Sequence, residues 1–287
     1  MSFVYTVDVE EWFQVENLRQ SFPRHTWPQC ESRLEDAVRR LLDLCEQKGV
    51  KGTFFVLGWV AKRHPRIVRD IAVGGHEVAC HGFNHDMLTA LDEAAVRRDV
   101  GDAKTLLEDV SGKPVVGYRA PNFSITERAL DILVDLGFAY DSSVFPFAYH
   151  KRYGRIGAAL FEPLAPGTYR HRNTGLLEFL LPMRSLGGLS LPWAGGGYFR
   201  LLPAALYRRG VRDVLDRQQA FVFYMHPWEI DPGQPRAQGI TVGARFRHYV
   251  GLKSAYRKLE QLLGEFGGTL RLIDLAERVR SAHPATA

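Results

Sequence analysis

The run Phe3-Val4-Tyr5-Thr6-Val7-Asp8-Val9-Glu10-Glu11 decides the architecture. Its first five residues are β-branched or aromatic and predict a buried strand, and the acids behind them mark where it ends. Asp8 and Glu10 are two apart, so a strand sends both carboxylates to one side, about 6–7 Å apart by the strand rise. Glu11 then points the other way and is expected at the surface or in an ion pair. The same punctuation recurs downstream. Short apolar runs at 53–57, 76–80, 115–118, 138–140 and 220–225 predict strands, and His81, Arg119, Asp141 and His226 stand just beyond four of them.

Helical patterns fill the gaps. Ser32-Arg33-Leu34-Glu35 has the form of a capping box, Leu34, Val38, Leu41, Leu42 and Cys45 keep helical spacing, and Gly49 ends the helix. Further helices are predicted from about Pro65 to Val73, from about Leu91 to Val110, and from a second capping box at Ser124-Ile125-Thr126-Glu127 to Gly137. From about 145 to 215 Gly and Pro favour loops and hairpins, including Gly187-Gly188 and Gly195-Gly196-Gly197. Alternation then returns, with a long helix over about 246–266, a last strand over 269–272 and a helix to about Arg280. Because βα units occur at both ends, residues 1–287 read as a single closed α/β barrel with an insertion at about 145–215.

Composition narrows the class. With 287 residues, 46% hydrophobic and 24% charged, the chain has ample material for a core and is neither disordered nor fibrous. No stretch approaches a membrane span. The N-terminus carries no basic run and reaches Asp8 at once, so no signal peptide is expected. Cys30, Cys45 and Cys80 are odd in number and form no CxxC pattern, which suits free thiols in a reducing compartment. A cytoplasmic protein is expected. The net charge of +5 comes from scattered arginines and gives no nucleic-acid footprint.

The chemistry gathers at the strand ends. His81-Gly82-Phe83-Asn84-His85 has two imidazoles four apart, which on one side of a helical turn grip a single cation. A carboxylate from the first strand, Asp8 or Glu10, makes a third ligand and leaves a position open for water. The other carboxylate, Arg119 and His226 are the groups needed to activate that water and protonate a leaving group. Each has a plainer alternative: a helix cap for Asp8 or Glu10, a structural ion pair for Arg119, a hydrogen-bonded turn for His226. Five such groups on the C-terminal face of one barrel are harder to explain structurally.

At these residues the sequence resembles the polysaccharide deacetylases of the NodB-homology type, carbohydrate esterase family 4. That family's T-F-D-D strand end, H-x-x-x-H turn, R-x-P segment and late L-x-H are similar, in order, to Thr6-Val7-Asp8-Val9-Glu10, His81 to His85, Arg119-Ala120-Pro121 and Tyr224-Met225-His226. One departure is that Val9 stands where the second adjacent acid is usual. More narrowly, Asp8 to Phe13, Gly195 to Pro203 and His226 to Asp231 resemble the subgroup that accompanies exopolysaccharide and exosortase loci, with a DUF3473-like C-terminal region.

The resemblance implies a distorted (β/α)7-type barrel that hydrolyses an N-acetyl group on an amino sugar with a divalent metal, Zn²⁺ first, with Co²⁺ or Ni²⁺ as alternatives. It implies Asp8 as general base, His81, His85 and Glu10 as metal ligands, Arg119 as the group holding the base, and His226 as general acid. Asn122, through a nearby backbone N–H, is expected at the oxyanion, Asp141 to orient His226, and Trp228 to line the pocket. The aromatic run from Trp193 to Phe199 lines a sugar site or packs in the core. The expected partner is an N-acetylated glycan, or its lipid- or nucleotide-linked cytoplasmic precursor. Two alternatives remain: a metal-independent cyclic-amide hydrolase and a non-catalytic glycan-binding barrel.

Overall fold

The computed structural model of the 287-residue chain describes residues 1–145, 156–186 and 188–284, and Gly187 of the expected Gly187-Gly188 turn lies outside them. The chain begins with β1 (Ser2–Val9), α1 (Leu34–Lys48), β2 (Gly52–Val56), α2 (Gly58–Arg63), α3 (Pro65–Val73) and β3 (Glu77–Cys80). It continues through α4 (Glu93–Ser111), β4 (Gly117–Tyr118), α5 (Glu127–Asp135) and β5 (Tyr140–Asp141). Then come β6 (Phe161–Ala165), β7 (Thr168–His171), β8 (Leu177–Phe179), β9 (Met183–Leu186) and β10 (Leu189–Pro192). Last are α6 (Gly196–Leu201), α7 (Ala204–Gln218), β11 (Ala220–Met225), α8 (Val242–Tyr249), α9 (Leu252–Phe266) and α10 (Leu272–Ala282).

Nine strands make one sheet in the order β11-β1-β2-β3-β4-β5-β8-β7-β6. From β11 to β8 every neighbouring pair is parallel, giving the seven-strand row of a distorted (β/α)7 fold. β7 and β6 extend it antiparallel, and β9 and β10 form a separate hairpin. Among the described residues no ladder joins the two edges of this row. β1 is paired on both sides, by β11 and β2, and almost wholly buried, which is why it reads as a near-continuous apolar run.

Several expectations are corrected. Ser32 does not cap α1. Its hydroxyl donates to Glu11 instead, and the Arg33 N–H donates to the other Glu11 oxygen at 3.3 Å. Glu11 is therefore buried at the start of α1, not at the surface, and its negative charge suits that helix end. The second capping box is displaced, because Thr126, not Ser124, accepts from the Ala129 N–H at 3.3 Å. The long C-terminal helix breaks into α8 and α9 at Gly251, which sits in the left-handed region (φ 72°). Residues 269–272 form no strand; Leu272 opens α10, and its N–H donates to the Thr53 hydroxyl at 2.9 Å. Within the insertion α7 replaces part of the expected loops, burying Tyr207, Val211, Val214 and Leu215 on one helical stripe. Cys30, Cys45 and Cys80 are free thiols.

Candidate active site

The C-terminal ends of the parallel strands carry the polar groups. Asp8 is the penultimate residue of β1, and Glu10 follows its end. His81, Arg119, Ser142 and His226 immediately follow β3, β4, β5 and β11.

Glu10, His81 and His85 converge, each offering a ligand atom within 4.8 Å of the others, and all three are buried. They do so on a loop, not on the expected helical turn: His85 adopts φ 57° and Gly82 φ 74°. Asp99 on α4 holds that loop, accepting from the Phe83 N–H at 2.8 Å and the Asn84 N–H at 3.2 Å. Of the four described non-glycine residues with positive φ, His85, Asn122 and Phe123 lie in the connections at this end of the sheet. Such strain survives where the surroundings impose it and clusters at functional sites.

The cluster fits a divalent cation. His81 Nδ1 lies 2.7 Å from the Arg119 carbonyl, so this nitrogen carries the proton and Nε2 keeps a lone pair, the usual support for a metal-binding imidazole. Burial pulls the pKa of His81 down to about 4, against the nearby Asp8 and Glu10, so the ring is neutral as a ligand must be. Glu10 Oε2 makes no hydrogen bond although His85 Nε2 stands 2.6 Å away. Burial opposes the Glu10 charge, but His85, His226 and His81 together hold its pKa at about 2. A buried carboxylate oxygen and a ring nitrogen 2.6 Å apart, with His81 beside them, are donors of the kind that can share one cation. His and carboxylate donors suit Zn²⁺ and its neighbours in the first transition row.

Asp8 takes no part in that cluster. Its Oδ1 accepts from Arg119 Nη1 at 2.8 Å. Arg119 is wholly buried, donates to the Thr6 hydroxyl at 2.8 Å, the Ser142 carbonyl at 2.9 Å and the Ser142 hydroxyl at 3.0 Å, and packs 4.1 Å above the Phe55 ring. With its donors engaged on both sides, the guanidinium has one orientation and fixes Asp8 with it.

His226 faces the cluster from the other side, its Nε2 3.4 Å from Glu10 Oε1. Its Nδ1 is 2.8 Å from Glu229 Oε1, and Glu229 Oε2 lies 3.3 Å from Arg200 Nε. Arg200 is itself buried and donates to the carbonyls of Arg247, His248 and Val250. Burial disfavours the imidazolium, but Glu10, Glu229 and Asp8 together raise the pKa of His226 to about 9. Trp228, 6% exposed, donates from Nε1 to Glu10 Oε1 at 3.2 Å and stacks between His226 and His248 with ring centroids 5.2 and 4.4 Å away.

Glu229, not Asp141, therefore orients His226. Asp141 is wholly buried, and its Oδ1 accepts from the Ser143 hydroxyl at 2.6 Å. Glu178 of β8 stands beside it, its Oε1 accepting from the Ser143 and Val144 N–H groups. The outer oxygens, Asp141 Oδ2 and Glu178 Oε2, have no donor, and burial raises the pKa of both acids. One proton shared between them satisfies both. The pair supports the Ser142–Ser143 segment that holds Arg119, and the Asp141 carboxylate accepts from Ser143 and makes no hydrogen bond to His226. Asn122 sits in the left-handed region (φ 52°), and its buried Nδ2 has no partner.

Glu229 lies three residues after His226 on one 3-10 turn, a spacing that brings side chains together, so the His226-Pro227-Trp228-Glu229 stretch carried a usable signal. Arg200 and Glu178 act through tertiary contacts that no local pattern marks. Of the aromatic run, Trp193 and Phe199 pack in the core, and Tyr198 is exposed beside a cavity of about 400 Å³ that His226 also lines.

Comparison with known proteins agrees with this geometry. Residues 26–140 match the family described as polysaccharide deacetylase, and residues 142–269 match a domain of unknown function, DUF3473. Among curated relatives, the peptidoglycan deacetylase-like protein FGM2 of Gibberella zeae is 34% identical over 109 residues, 37% of this chain and 32% of its own length. The chitooligosaccharide deacetylase of Rhizobium leguminosarum bv. trifolii is 36% identical over 98 residues, 32% of this chain and 45% of its own. The chain thus spans less than half the length of these relatives. Among solved structures, a Mycobacterium smegmatis protein described as a polysaccharide deacetylase superposes with a TM-score of 0.65 at 21% identity, covering 97% of this chain and 91% of that one. Puue allantoinase superposes at 0.63 with 16% identity, covering 99% and 92%. These likenesses establish the fold. Residues 26–140 of this chain belong to the polysaccharide deacetylase family, the NodB-homology type of carbohydrate esterase family 4, and residues 142–269 to the DUF3473 family.

Proposed function

We propose that the protein removes N-acetyl groups from amino-sugar units of a glycan by metal-assisted hydrolysis. The observation that carries this is the convergence of Glu10, His81 and His85 between two separately held groups, Asp8 on Arg119 and His226 on Glu229. Glu10, His81 and His85 would hold the cation, Zn²⁺ by preference, and it would polarise the acetyl carbonyl and lower the pKa of the attacking water. Asp8, oriented by Arg119, takes the water proton as the oxygen attacks the acetyl carbon. His226 gives its proton to the sugar nitrogen as the C–N bond breaks, and acetate and a free amine leave. A backbone N–H beside Asn122 helps hold the developing oxyanion.

The role of Val9 follows from strand geometry. An acid directly after Asp8 would face away from the site, whereas Glu10, two residues on, faces it. Its longer side chain suits the reach to the histidine loop.

We further infer a single unit over residues 1–287, because β8 and β11, both from the DUF3473 stretch or beside its core, pair with strands of the deacetylase stretch in one sheet. No described helix is long and apolar enough to cross a membrane. The three free thiols suit a reducing compartment and support a cytoplasmic precursor of an exopolysaccharide, lipid- or nucleotide-linked, as substrate.

The test is acetate release from N-acetylated chitooligosaccharides, with allantoin as a cyclic-amide control, before and after chelation. Chelator-sensitive release from the glycans supports the proposal. Hydrolysis of allantoin alone, insensitive to chelator, would replace it.

A further inference from the structure

Beside His226 lies the cavity of about 400 Å³, walled by the start of α6, the end of β11, the Trp228 turn and α8. We propose that it is the subsite for a second pyranose ring of the same glycan, next to the sugar that is deacetylated, with Tyr198, Phe246 and His248 as its specificity-determining residues. This rests on the deacetylase function proposed above.

Three features point to a sugar. First, the cavity opens at His226, the group proposed to protonate the leaving nitrogen, so a ligand filling it is continuous with the reacting unit. Second, its rim is apolar and wet. Tyr198, Leu201 and Phe246 are 36%, 50% and 56% exposed, and they are three of the seven large exposed hydrophobic residues described. Pyranose rings present flat C–H faces that pack against such rings.

Third, a buried acceptor in the wall has nothing to accept. The Gln234 amide nitrogen donates to the Trp228 and Asp231 carbonyls, so its oxygen is the acceptor for His248 Nε2–H at 2.7 Å. That leaves Nδ1 of His248 as a lone pair, 1% exposed as a residue and without a hydrogen-bond partner. A ligand hydroxyl or amide N–H supplies the missing donor; a hydrocarbon cannot. Apolar faces beside one fixed acceptor match a sugar ring.

Gly197 offers a clean way to block the site. It lines the cavity, and a Cβ built on it meets no atom within 4 Å. Gly197→Leu should therefore fill the cavity without disturbing the helix, and Phe246→Ala removes an exposed ring. kcat/KM is measured on N-acetylglucosamine and on triacetylchitotriose, and binding of both, and of octyl N-acetylglucosaminide, is followed by tryptophan fluorescence in Asp8→Asn protein. Wild type should favour the trimer over the monomer, and each substitution should cut that ratio about tenfold, the loss of one ring contact. Equal rates on monomer and trimer in wild type, or a ratio unmoved by both substitutions, would overturn the subsite. Binding of the octyl sugar as tight as that of the trimer would make the cavity a hydrocarbon slot and overturn it too. If triacetylchitotriose binds and Gly197→Leu weakens it while no glycan releases acetate, the subsite stands and the deacetylase function falls.

Discussion

The two ends of the parallel sheet each bury a carboxylate, and they treat it in opposite ways. At the N-terminal end Glu77 opens β3, and both of its oxygens are satisfied. Thr53 Oγ1 and Tyr140 Oη donate at 2.7 Å each, and the Ile273 N–H at the start of α10 donates at 3.0 Å. At the C-terminal end Glu10 leaves an oxygen without a hydrogen bond beside two histidines. The N-terminal end also has the larger hollow, about 970 Å³, with Arg271 in its wall paired to Asp274 at 2.6 Å. Cavity size does not locate the chemistry. In the function proposed above, the Glu10 oxygen left open beside two histidines is what marks the reactive end.

The largest effect should come from the reactive end. Asp8→Asn keeps the shape of the side chain and removes the base, so kcat should fall by about 10²–10⁴-fold with the melting curve little changed. Acetate-release kinetics check this, and near wild-type turnover in folded Asp8→Asn would move the base elsewhere.

One step back from the reaction, Glu229→Gln should lower the rate on an amide substrate by about 10²-fold, the low end for losing a well-poised acid. Because Glu229 helps raise the pKa of His226, the alkaline limb of the kcat/KM profile should also shift to lower pH. An unshifted limb would show that Glu229 only packs.

The smallest catalytic effect should come from the opposite end. Burial raises the pKa of Glu77 to about 7 from its ordinary 4.5, against the hydrogen bonds it accepts. The folded chain therefore binds a proton that the unfolded chain has released between those values, and this contribution to stability is lost as pH rises through about 7. Glu77→Gln cannot titrate. It should cost about 1–3 kcal/mol in acid, where both side chains are neutral, with the gap to wild type narrowing as pH rises. Acetate release should be unaffected, and thermal melts at several pH values read out the difference. A gap that widens with pH would reverse the assignment.

Much of this contrast was legible in the sequence. β1, β3, β4 and β11 lie in short apolar runs with a polar group at or just beyond the end, and that punctuation located Asp8, Glu10, His81, Arg119 and His226. The helix α3 fell on its expected bounds because Pro65 and Gly74 delimit it. What was missed depends on distant partners. Ser32 looked like a cap until Glu11, twenty-one residues away, took its hydroxyl. Asp141 was expected as the orienting acid from the family resemblance; Glu178 lay in a stretch read as loop, and only the pairing of β5 with β8 reveals the acid pair. Residues 269–272 looked like a strand because apolar runs of that length suit either state, and the start of α10 is fixed instead by Thr53 and Glu77.

Metal content measures the central claim most directly. Wild-type protein and the Glu77→Gln control, loaded with Zn²⁺ and desalted, should each retain about one ion per chain, the stoichiometry of a site with three protein ligands. Glu10→Gln and the double variant His81→Ala/His85→Ala should retain almost none while still folding. Unchanged occupancy in folded Glu10→Gln and in the double variant would contradict the assignment of the open end of the sheet as a metal centre.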